Sequence, residues 1–152
     1  MSRSGYTDDC ENLELYRATV ERSIKGRRGQ AFLRELATAM DAMPDKVLIR
    51  NELIDAEGDC CTIGVVCKAR ELDVSAVDHE DPQAVGDLVG IARSMAAEIE
   101  FENDDDWHLA KAETPEQRWI RMRKWVDDHL SEQVHGNSGN VFTGSSVAKR
   151  SV

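Results

Sequence analysis

The chain has 152 residues, a length that suits one domain burying about 70% of its unfolded surface. Its 29 acidic residues outnumber 19 lysines and arginines, giving a formal net charge of −10 with 41% hydrophobic and 32% charged residues. That balance fits a globular protein, and apolar runs of only a few residues exclude a membrane-spanning helix. The N-terminus, Met1 to Asp9, lacks the apolar core of a secretory signal, so a cytoplasmic location is expected.

Charge is unevenly placed. Arg17 to Arg34 holds six basic side chains (Arg17, Arg22, Lys25, Arg27, Arg28, Arg34) against one acid, Glu21. Asp73 to Asp106 holds eleven acids against one base, Arg93. Such a chain is dipolar along its length.

Thr7, followed by Asp8, Asp9 and Glu11, predicts a capped helix start. Leu13, Tyr16, Val20 and Ile24 then recur at helical spacing. Gly26 and Gly29 bracket Arg27 and Arg28 and interrupt this stripe. A second helix follows, with Phe32, Leu33, Leu36, Met40 and Met43 facing inward and Pro44 ending it. Val47 to Ile54 interleaves apolar and polar positions, which predicts a short strand running into a turn at Glu57-Gly58-Asp59.

Cys60 and Cys61 open a helix of small apolar residues reaching about Arg70. Gly64, lacking a Cβ, lets another backbone pass close to it. Asp81-Pro82 starts the next helix, Gly90 stops it, and Ile91, Met95 and Ile99 continue on another. Thr114-Pro115-Glu116-Gln117 is the sharpest local signal, a capping box with proline in the first helical position. Trp119, Met122, Val126 and Leu130 line that last helix. The expected fold is mainly α: a single domain of five or six helices with one short strand or β-hairpin. Residues 1–5 are expected to be a flexible N-terminus, 6–133 the globular domain, and 134–152 a flexible Gly/Ser-rich tail.

The four cysteines, Cys10, Cys60, Cys61 and Cys67, make a poor disulfide framework, and core thiols are the expected state. Their spacing from one another and from the scattered histidines does not suit zinc, so no metal and no cofactor is expected. Cys61, near a helix N-terminus, is the candidate nucleophile for a cysteine enzyme, with His108 or His79 as base and Asn103 as the orienting group. Lys25, Arg27, Arg28 and Arg34 are the candidate nucleic-acid contacts. Their turn lacks the Gly-Lys-Ser/Thr ending of a phosphate loop. Pro82 to Glu102 has the outline of a helix-turn-helix, but Glu98, Glu100 and Glu102 on its second helix would repel phosphate.

The leading site is acidic. Glu100, Glu102, Asp104, Asp105 and Asp106, with Trp107 as an apolar anchor beside them, suit a basic protein surface. Arg27 to Leu36 (RRGQAFLREL), Gly58 to Val66 (GDCCTIGVV), Glu102-Asn103-Asp104 and Thr114 to Trp119 (TPEQRW) together carry a resemblance. On these pieces the chain resembles a family of small uncharacterised proteins encoded by bacteriophages and prophages. The family has no assigned activity, and the resemblance implies a host-takeover or anti-defence context in the host cytoplasm. The function expected on these grounds is a non-enzymatic accessory protein that binds a host or phage protein with a basic surface, with inhibition of a nucleic-acid-handling or defence complex as the sharper version. Nucleic acid and membrane are not the expected partners.

Overall fold

In the computed structural model, which describes residues 13–104 and 113–131, the helical spacings of the sequence become six α-helices. They are α1 (Leu13–Lys25), α2 (Arg27–Asp41), α3 (Thr62–Ala69), α4 (Pro82–Val89), α5 (Arg93–Asp104) and α6 (Pro115–His129). The Thr7 cap, and the segments 1–5 and 134–152, lie outside the described residues.

The stripes read from the sequence pack into one core. Val20 and Ile24 of α1, Phe32, Leu33, Leu36 and Met40 of α2, and Ile63, Val66 and Cys67 of α3 are all buried. Met95 and Ile99 of α5 and Met122 and Val126 of α6 complete it. Helix α5 touches α1, α3, α4 and α6, while α2 touches α1, α3 and α6. Two helices therefore organise the bundle.

Local chemistry sets the helix ends. Asp81 accepts from the amides of Gln83 and Ala84, with Pro82 in the first turn of α4. Thr114 accepts from the Gln117 amide at 3.1 Å while the Gln117 side chain accepts from the Thr114 amide at 2.9 Å. That closes the predicted capping box of α6.

The expected strand or hairpin is not found among the described residues. Ile54 and Cys60 form one isolated antiparallel bridge around the Glu57-Gly58-Asp59 turn, where Gly58 has φ +89°. Asn51, at φ +72°, turns the chain out of extended geometry before a ladder can grow. The segment is a loop instead, held by single bonds from the Ile49 amide to the Cys60 carbonyl and from the Cys61 amide to the Leu53 carbonyl. None of the described helices is long and apolar enough to cross a membrane.

Candidate functional site

The loop of residues 48–54 crosses the N-terminal end of α3, and Gly64 makes that crossing possible. A Cβ at Gly64 would lie 1.9 Å from the Leu53 carbonyl oxygen, so only glycine fits. Cys61 caps α3, its sulfur accepting from the Gly64 amide at 3.4 Å.

Asn103, 2% exposed near the end of α5, ties these pieces together. Its Oδ1 accepts from the Thr62 amide at 3.0 Å and the Thr62 hydroxyl at 2.7 Å. Its Nδ2 donates to the Ile49 carbonyl at 3.0 Å and to Asp104 Oδ1 at 2.8 Å. The same Asp104 oxygen accepts from the Asn51 amide. One buried amide thus satisfies the start of α3, the loop and the end of α5 together.

An ionic group extends this joint into α6. Arg121 donates to the Glu102 carbonyl at 2.6 Å and the Asn103 carbonyl at 3.4 Å, placing positive charge at the C-terminal end of α5. Glu113 holds Arg121 at 2.6 Å and Arg118 at 3.3 Å, and Arg118 donates to the Leu48 carbonyl. Burial pulls the Arg118 guanidinium below its usual range, with the Glu113 charge opposing that pull. Sequence reasoning missed this group. Its signal was Arg118 and Arg121 one helical turn apart after Glu113.

Among the acidic candidates that the structure describes, none is fully exposed. Glu100 is 3% exposed, so it turns into the protein and not toward a partner. Glu102 and Asp104 are half-buried. A run of charges on one helix cannot all point outward, and α5 is packed by neighbours on several sides. Asp105, Asp106, Trp107 and His108 lie outside the described residues.

Cys61, His79 and Asn103 do line one common cavity, of about 10 Å³, together with Glu100 and Asp104. That volume is what a single water requires. Burial pushes the Cys61 thiol far above its usual range, and the Asp104 and Glu100 charges push the same way. Burial also raises Cys60, and Cys67 is pushed up to about 11. A reactive thiol needs the opposite shift. Among the described residues no group of histidine, cysteine and carboxylate side chains is arranged to hold a metal ion. A larger cleft of about 460 Å³ lies between α1, α5 and the end of α6, where Arg17, Lys25, Glu21, Glu98 and Asp128 mix both signs of charge.

The exposed carboxylates are elsewhere. Glu71, Asp73, Asp78, Glu80, Asp81 and Asp87 are all exposed on the stretch that joins α3 to α4 and on α4 itself. Asp73 accepts from the Ser75 amide and hydroxyl, Asp78 from the Glu80 amide, and Asp87 from the Gln83 side chain. None of the six forms an ion pair with a lysine or arginine among the described residues. Lys25, Arg27, Arg28 and Arg34 are likewise exposed, Lys25 just before α2, Arg27 and Arg28 at its start and Arg34 in its middle. Compared with protein-family models, curated proteins and solved structures, the chain matches none.

Proposed function

We propose that the chain is a non-enzymatic, phage-type accessory protein that binds another protein through an acidic surface, and that inhibition of a host nucleic-acid-handling or defence complex is its sharper role. The observation that carries this reading is the run from Glu71 to Asp87, six exposed carboxylates with no lysine or arginine within the run and none paired with them among the described residues. Unpaired surface charge costs stability through self-repulsion and speeds encounter with an oppositely charged partner. This surface differs from the one first expected: Glu100 is buried, Glu102 and Asp104 are half-buried, and Asp105 and Asp106 lie outside the described residues. The phage context rests on the resemblance of the four sequence pieces alone.

Capture from a bacterial lysate, followed by a binding measurement on the protein recovered, tests the reading. Glu71→Gln, Glu80→Gln and Asp87→Asn combined should slow association at low salt on the order of tenfold. The fold should survive, because these three side chains hold no buried partner. Unchanged association at low salt contradicts the proposal.

A thiol enzyme is the second reading, favoured by Cys61, His79 and Asn103 sharing a cavity. Against it, the Asn103 amide is fully engaged and the Cys61 sulfur is occupied as a cap. Thiol labelling at neutral pH separates the two. The binding reading expects Cys61 to react far more slowly than a free thiol, and fast labelling would favour the enzyme.

A further inference from the structure

Several cations of this molecule are tied down: Lys124 is paired with Asp128, and Lys46 and Lys68 donate to backbone carbonyls. Arg70, Arg118, Arg121 and Arg123 are each held by a carboxylate, of Glu35, Glu113, Glu113 and Asp41 respectively. Arg22, Lys25, Arg27, Arg28 and Arg34 are all exposed, and no ion pair or side-chain hydrogen bond holds any of them among the described residues. Arg22, Lys25, Arg27 and Arg28 flank the corner where α1 passes into α2 through the single residue Gly26, and Arg34 stands two turns further along α2.

That corner is fixed. The Gly26 amide donates to the Arg22 carbonyl and the Gln30 amide to the Gly26 carbonyl. A Cβ at Gly29 would lie 2.1 Å from the Ser23 carbonyl oxygen, so α1 and α2 meet backbone to backbone. The buried Gln30 side chain donates to the Ile24 and His129 carbonyls and accepts from the Ser131 amide, locking the corner onto the end of α6. At the N-terminus of α2, Gly26 supplies no side-chain cap. Two like charges in the first turn of a helix oppose its dipole, and helix stability therefore does not account for Arg27 and Arg28. An anion does.

We infer that the α1–α2 corner binds the sugar–phosphate backbone of a nucleic-acid duplex, independently of the acidic run. The exposed side chains from Glu21 to Thr38 include no large apolar group to enter a bilayer and no aromatic ring on which a single-stranded base would stack. What remains is charge presented on rigid backbone. Arg27 and Arg34 share one face of α2, two turns and about 10 Å apart, which suits successive backbone contacts without base reading.

Fluorescence anisotropy of a labelled duplex DNA, titrated with the full chain across salt concentrations, tests the inference. If four to five phosphates are contacted, affinity falls with a log–log slope near −4, roughly 250-fold between about 50 and 200 mM salt. Arg27→Gln with Arg28→Gln should reduce that slope by about 2, and Arg34→Gln alone by about 1. Unchanged circular dichroism shows the variants to be folded. No duplex binding at low salt, a slope indifferent to these substitutions, or binding to anionic phosphatidylserine vesicles in place of the duplex would each overturn it.

Discussion

Around Asn103, polar side chains are buried and reach across 41 and 54 residues of chain. Between Glu71 and Asp87 they are exposed, and their side-chain bonds reach no further than four residues. The same residue types serve opposite ends. In the joint, every lone pair and proton of one amide is committed to holding separate helices together. In the acidic run, each aspartate shapes its own turn and leaves its charge facing water. Substitutions in the first region are therefore expected to act on stability, and under the proposed function substitutions in the second are expected to act on encounter.

The largest effect is expected at the centre of the joint. Asn103→Leu leaves the Thr62 amide and hydroxyl and the Ile49 carbonyl without partners inside the protein. With about 1–3 kcal/mol per buried group left unsatisfied, a loss of about 4 kcal/mol should appear in urea unfolding. Gly64→Ala comes next. Its new Cβ meets a backbone carbonyl that cannot swing aside, so about 3 kcal/mol should be lost. Cys61→Ala removes the α3 cap at a cost of about 1 kcal/mol, whereas Cys61→Ser, keeping an acceptor, should stay within about 0.5 kcal/mol. That ordering of alanine and serine is what a cap demands.

A smaller effect lies in pH. The Arg70 guanidinium, bonded to Glu35 at 2.6 Å, holds the Glu35 carboxyl below its usual range. A depressed folded-state pKa contributes stability above the ordinary carboxylate range, and this is lost as pH falls through the folded value. Solvent reaches the pair, so the contribution is about 0.5 kcal/mol. Acid unfolding of Glu35→Gln should show a correspondingly shallower loss below about pH 4.5. Equal slopes for the two proteins would remove the pair from the account.

Much of the helical frame was legible because its signals are local. Asp81-Pro82 and the Thr114 to Gln117 box place their helix starts within a few residues, and the apolar stripes name the core. Gly64 was legible too, as a missing side chain within an apolar run. The partners of Asn103 were not legible, since nothing near Thr62 or Ile49 points across 41 or 54 residues. Glu100 misled because a carboxylate reads as exposed until its neighbours are known. Val47 to Ile54 misled because β-branched spacing says nothing of the positive φ at Asn51, which ends the extended run.

The account stands on a division of labour: the Cys61–Asn103 joint builds the fold, and the Glu71–Asp87 run is proposed to make the contact. Binding of one captured partner to two variants, Cys61→Ser and the combined Glu71→Gln, Glu80→Gln and Asp87→Asn, tests that division side by side. The predicted result is full binding by Cys61→Ser and weakened, less salt-sensitive binding by the neutralised variant. Loss on Cys61→Ser with both variants folded, and retention by the neutralised one, would contradict it.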